Sequence, residues 1–157
     1  MDVVRILIIT NMLPTTASPR AGTFVEQQIK GIRAQPLSVD VLHIDRAAGG
    51  MRSYWTTSTR IREKIQAHRP DLMHVMYGGV MAFLATRNAA GTPTVVSFCG
   101  TDLLGEESGP IGGRLRGALG VWCSRQAAAK ADWVVVKSRN LESALPESVD
   151  RSRVSVI

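Results

Sequence analysis

The residues best suited to chemistry sit where strand-like runs hand over to helix-like ones. Gly22 and Thr23 occupy such a junction. A helix N-terminus there presents amide groups without partners and the positive end of the helix dipole, which together attract phosphate. Glycine also lets a ligand come close to the backbone. The same residues equally suit a local role: Gly22 permits the turn, and Thr23-Phe24-Val25-Glu26 has the spacing of a capping box. The common phosphate and dinucleotide fingerprints, G-x-G-x-x-G and G-x-x-x-x-G-K-[ST], are absent, which disfavours a nicotinamide-dependent reductase or epimerase and a P-loop NTPase. Cys99 and Cys123 form neither C-x-x-C nor a metal spacing, and no metal site is expected. His74 lies in a buried strand pattern and reads as a hydrogen-bonded core residue, as does His43 near a strand end. His68 ends a helix, where a cation suits the dipole. Ser138 follows a strand and most simply caps the next helix, with a cleft contact as the other reading.

The elements that position these residues alternate regularly. Val3–Ile9 is nearly continuous apolar sequence, as expected of a strand buried on both faces of a parallel sheet. A helix from Thr23 shows a core face through Val25, Ile29 and Ile32 and ends before Pro36. Val39–Ile44 is the second strand, Ala47–Gly50 a link, and a helical stretch follows to His68. Further strands are predicted at Leu72–Met76, Thr94–Phe98, Trp133–Val136 and from Val154. Between them lie a short helix after Gly78-Gly79, a long loop over Cys99–Gly113, a long helix over Arg114–Lys130 and a short helix after Ser138. Strands separated by helices predict right-handed crossovers and a wound, Rossmann-like α/β domain: a parallel sheet with helices on both faces. Ligands of such sheets sit beyond the carboxyl ends of the strands. That rule selects the loops Thr10–Gly22, Asp45–Gly50, Tyr77–Gly79, Cys99–Gly113 and Lys137–Asn140.

At 157 residues, with 45% hydrophobic and 20% charged residues, the composition is that of one globular domain. No apolar run approaches the roughly 20 residues that span a bilayer. The N-terminus lacks a basic region and cleavage site, and a reducing, cytoplasmic compartment is the simplest expectation. The formal charge of +6 favours anionic partners. Aromatic residues are only 5% and show no interleaved stacking pattern, so nucleic acid is not expected as a partner. Because Val154–Ile157 reads as a strand just begun, the chain is expected to be one wound half of a larger molecule.

Several segments in order resemble family 4 glycosyltransferases, which adopt the two-domain GT-B fold. These are Asn11-Met12-Leu13-Pro14 with Gly22-Thr23-Phe24-Val25-Glu26-Gln27-Gln28, then Pro70-Asp71-Leu72-Met73-His74-Val75. Val95-Val96-Ser97-Phe98-Cys99-Gly100-Thr101-Asp102 and Ala131-Asp132-Trp133-Val134-Val135-Val136-Lys137-Ser138 continue the series. The resemblance implies the N-terminal, acceptor-binding domain of a retaining enzyme that moves a sugar from a nucleotide diphosphate sugar to a glycan or lipid-linked acceptor. It implies no cofactor and no metal beyond that co-substrate. The loop around Gly22 and Thr23 would approach the donor diphosphate. On that reading a side chain at Gly22 blocks the ligand with little effect on the fold. Asn11, Tyr77, Gly78, Cys99, Gly100, Thr101 and Ser138 would line the acceptor cleft. The donor-binding basic pair and the E-x7-E motif would belong to a C-terminal domain absent from this chain, so 1–157 alone is expected to be inactive.

One position departs from the resemblance. Many relatives carry histidine where this chain has Cys99, and a thiol with an ordinary pKa of about 8.5 does not replace it near neutral pH. Cys99 therefore reads as a small residue packed along the cleft. Asp102 becomes the candidate for orienting the acceptor or taking its proton, against the alternative that it caps its own turn. Two basic stretches remain: Arg52-Ser53-Tyr54-Trp55 with Arg60, Arg62 and Lys64, and Arg114, Arg116, Arg125 and Lys130 beside Leu115, Leu119 and Trp122. Each suits either an anionic membrane surface, placing the protein peripherally at the inner face, or a solvated basic face over an ordinary core stripe. A stand-alone module that binds a phosphorylated small molecule without chemistry is the alternative to the transferase reading.

Overall fold

The computed structural model describes residues 3–16, 18–45, 54–105 and 111–157. Six parallel strands form one sheet in the order β2-β1-β3-β4-β5-β6. They are β1 (Arg5–Thr10), β2 (Ser38–His43), β3 (Leu72–Met76), β4 (Thr94–Phe98), β5 (Trp133–Val136) and β6 (Val154–Val156). The helices are α1 (Thr23–Arg33), α2 (Thr57–His68), α3 (Gly79–Arg87), α4 (Thr101–Leu104), α5 (Ile111–Lys130) and α6 (Arg139–Ser143). This is the wound α/β arrangement that the alternating pattern predicts. β2 lies on one side of β1 and β3 on the other, so the winding reverses between β1 and β3 and leaves a crevice at the carboxyl edge there.

β1 shows why its sequence is almost wholly apolar. Successive side chains leave opposite faces of a strand. Ile6 and Ile8 join Val25 and Ile29 of α1 with Met76 in one cluster. Leu7 and Ile9 enter the larger one, with Ile61 of α2, Met81 of α3 and Ala127 of α5. Phe98, Met73 and Val96 are fully buried in that larger cluster.

Three local expectations are corrected. The interval Cys99–Gly113 is not one loop, because α4 occupies part of it and α5 begins at Ile111; its residues 106–110, like the Ala47–Gly50 link and Arg52-Ser53, lie outside the described residues. The capping box does not form. Gly22, with φ 69, takes the N-cap position, so Thr23 is already helical and makes no cap bond, while Glu26 pairs with Lys30 at 3.3 Å. Nor do Leu115, Leu119 and Trp122 form a core stripe: they are exposed, and α5 buries Cys123, Ser124, Ala127 and Ala128 instead. Small residues let α5 approach its neighbours closely, which leaves the large apolar side chains outside.

His74 sits mid-sheet with Nε2 2.7 Å from Ser97 Oγ. Burial lowers its pKa from 6.5 to about 4. The unfolded chain therefore binds this proton more readily than the folded one. Stability from this group is whole above its unfolded pKa and is lost as pH falls through the folded value. Urea denaturation is expected to show about 2 kcal/mol less stability at about pH 5 than at about pH 7 from this residue alone. His74→Gln, which keeps a partner for Ser97, should remove most of that drop; an unchanged pH dependence would refute the assignment.

Candidate functional site

The carboxyl edge around the switch gathers the ends of β1, β3, β4 and β5. Asp102, on the first turn of α4, is 6% exposed and turns back toward the two central loops. Its Oδ1 accepts from the amides of Gly100 at 2.7 Å and Cys99 at 3.0 Å, and its Oδ2 accepts from Gly78 at 2.9 Å. One side chain thus ties the β3–α3 loop to the β4–α4 loop. Burial pushes its carboxyl pKa up, and the amide bonds from Gly100, Gly78 and Cys99 oppose that. With both oxygens bonded to backbone donors, the group holds the two loops together.

Ser124 of α5 completes the knot. Its Oγ accepts from the Gly79 amide at 2.7 Å and donates to the Asp102 carbonyl at 2.5 Å. The pair leaves no room at Gly78, where an added Cβ would lie 2.4 Å from Ser124 Oγ and 3.0 Å from the Phe98 ring. Gly100, at φ 148, meets open space, so its requirement is conformational. Tyr77, at φ 86, places its hydroxyl 2.9 Å from Thr101 Oγ1 and bridges the same two loops on their exposed side.

The other expected residues fall at this edge as well. Asn11, just after β1, donates through Nδ2 to the Tyr54 hydroxyl at 3.2 Å, while its Oδ1 is buried and has no partner among the described residues. Cys99 is half-buried. Burial, and then Asp102, push its thiol up to about 11 against the pull of Lys137, so it remains a thiol. Ser138 caps α6 by accepting from Leu141 N at 3.2 Å, which commits its Oγ to the helix.

Gly22 needs a correction. A Cβ there would lie 2.3 Å from the carbonyl carbon of Met12, and its φ of +69 favours glycine in any case. The side it would occupy is filled by the protein's own loop, so substitution disturbs the fold as well as any ligand. The N-terminus of α1 is nevertheless available: Val25 and Glu26 bond to the Gly22 carbonyl, no side chain caps the helix, and Thr23 is exposed. Lys137, at the end of β5, lies over the Phe24 ring at 4.8 Å and so brings a cation to this helix start. Sequence reasoning placed Lys137 in a candidate loop without a role, gave Tyr54 only as part of a basic stretch, and missed Ser124. A lone serine among the buried alanines of a helix was the available signal for Ser124. Among the described residues, no cluster of His, Cys, Asp and Glu could hold a metal.

Fold and edge together define the class: a Rossmann-like α/β module with its loops assembled at one end of a parallel sheet. The chain belongs to the family of glycosyl transferase 4-like domains, whose model matches residues 3–157. No curated protein matches it at a significant level. Among solved structures it is similar to the UDP-GlcNAc 2-epimerase from Methanocaldococcus jannaschii, with a TM-score of 0.67 at 8% identity over 98% of this chain and 45% of that one. The S. aureus MnaA–UDP structure gives 0.66 at 15% identity, covering 98% and 44%. The Neisseria meningitidis UDP-GlcNAc 2-epimerase bound to UDP-GlcNAc gives 0.62 at 12%, covering 98% and 45%. The chain therefore spans less than half the length of these neighbours, and identities this low carry the fold alone.

Gly22→Ala is expected to cost about 1–3 kcal/mol through αL strain alone, and more where Met12 cannot move. The urea midpoint measures it. Stability equal to the parent chain would contradict the packing of the first loop.

Proposed function

We propose that this chain is the acceptor-side half of a retaining glycosyltransferase. The enzyme would transfer a sugar from a nucleotide diphosphate sugar to a glycan or lipid-linked acceptor. The observation that carries the reading is the uncapped start of α1 with Lys137 beside it, at the switch-point edge of a chain in the glycosyl transferase 4-like family. Free amides and a cation suit the diphosphate of a donor held by a second domain across the cleft. Such a domain, with its basic pair and paired glutamates, would supply the remaining donor contacts; the length of the structural neighbours supports it.

Within this half the roles divide by accessibility. Thr23, with the backbone that Gly22 shapes, faces the diphosphate. Tyr77 and Thr101 present paired hydroxyls for the acceptor, and Asn11, bonded to Tyr54, backs the cleft behind them. Asp102 and Gly78 hold these loops in place, and Cys99 and Gly100 complete the cleft wall. A sugar-nucleotide epimerase half is the second reading, favoured by the fold of the UDP-bound neighbours; the family match favours transfer.

Two outcomes test the division of labour. Residues 1–157 alone should neither transfer nor epimerise the sugar of UDP-GlcNAc, and turnover by the pure chain would overturn it. Titration with UDP followed by amide NMR should shift Thr23 and Phe24, and Lys137→Ala should weaken that binding about tenfold, as expected for one charge-assisted contact. Shifts confined to other edges, or unchanged affinity in the variant, would remove the α1 start from the site.

A further inference from the structure

The amino-terminal half of α5 does not behave like a helix of a closed domain. Gly113, Arg114, Leu115, Arg116, Ala118 and Leu119 are all exposed, and Leu115 is 76% exposed. A Cβ added at Gly117 or Gly120 would meet nothing within 4 Å. A helix of 20 residues is roughly 30 Å long, and only its later turns bury Cys123, Ser124, Ala127 and Ala128 against the body. The earlier turns stand clear, carrying large apolar side chains into solvent.

Those side chains form a continuous surface. Leu115, Leu119 and Trp122 recur at i, i+4, i+7 and so share a face. Trp122 is 51% exposed and packs on Phe83 of α3, with ring centroids 5.5 Å apart. Arg87 lies over the other aromatic partner, 4.7 Å from the Phe83 centroid. Leu104, 51% exposed, extends the apolar area across a shallow groove bounded by Arg114, Ala118, Val121 and Arg125.

Among the described residues the charge on this surface has one sign. The charged residues of α3 and α5 are Arg87, Arg114, Arg116, Arg125 and Lys130; neither helix contains Asp or Glu. All five are exposed, and among the described residues none is in an ion pair. A second copy of this chain docked face to face would set these arginines against their own equivalents, because a two-fold contact repeats the same patch on both sides. Leucine and tryptophan ringed by arginine instead match the interface of an anionic bilayer, where rings and aliphatic chains enter the headgroup layer and guanidinium groups meet phosphate.

We propose that the α3–α5 ridge, through Leu104, Leu115, Leu119 and Trp122 and the surrounding arginines, docks this protein on an anionic lipid surface. No helix of the described residues is long and apolar enough to cross a membrane, so contact here is peripheral. The proposal stands on the exposed ridge and does not depend on the transferase reading.

Vesicle co-sedimentation tests it, using phosphatidylcholine alone and phosphatidylcholine with phosphatidylserine. A Trp55→Phe/Trp133→Phe chain makes Trp122 the only fluorescent tryptophan. The expected result is binding to the anionic vesicles only, weakening with salt, with a blue shift of Trp122. Arg114→Gln/Arg116→Gln/Arg125→Gln should weaken binding on the order of 100-fold. Leu115→Gln/Leu119→Gln, both at exposed positions that should leave the circular dichroism unchanged, should abolish the blue shift and most of the binding. Absence of binding at low salt overturns the proposal. So does equally tight binding to heparin that survives the leucine variant, which would mark a general polyanion surface. Concentration-dependent dimerisation that the leucine variant abolishes would assign the ridge to a second copy and overturn it too.

Discussion

The arrangement at the working edge depends on one buried carboxylate. Asp102 reaches back from the first turn of α4 to the amides of Gly78, Cys99 and Gly100, and so joins two loops that leave neighbouring strands. Buried amides without partners are costly, and so is a buried carboxylate without donors; each supplies what the other lacks. Ser124 adds a third element by bonding both to Gly79 and to the Asp102 carbonyl. The glycine at 78 then follows from space, since the side chains that make the knot fill the place of a Cβ. Tyr77 and Thr101 owe their pairing to this knot, which fixes the backbones that carry them.

This constraint separates residues that hold the edge from residues that face it. Asp102, Gly78, Ser124 and Ser138 spend their polar atoms on the protein itself. Thr23, Thr101 and Lys137 lie exposed around the same edge, with the Tyr77 hydroxyl paired to that of Thr101. Cys99 stays protonated because it is largely buried and because Asp102 is close. The wall at this edge is therefore preformed by hydrogen bonds, and the groups left to meet a ligand are the outward ones.

The strands were legible in the sequence because each is a short run built around apolar residues, and parallel order followed from the helices between them. The edge loops were legible too, since a wound sheet leaves few other places for a ligand. What failed did so for physical reasons. Glycines 112, 113, 117 and 120 disguised the start of α5, and glycines 100 and 105 hid the four-residue helix between them. Leu115, Leu119 and Trp122 have core spacing, yet spacing does not say which face meets the body. Alanines let α5 sit close to its neighbours, so the small face went inward. Gly22 looked like an opening for a ligand because its contact, the Met12 backbone, is ten residues away in sequence and invisible without the fold.

Hydrogen exchange at individual amides tests the central claim most directly. If the carboxylate of Asp102 holds the edge, the Gly78, Cys99 and Gly100 amides should exchange slowly in the native chain. In Asp102→Asn they should all speed up together, while the amides of β1 keep their rates. Fast exchange of these three amides in the native chain, or an Asp102→Asn variant in which Gly78 stays as slow as before, would contradict the account.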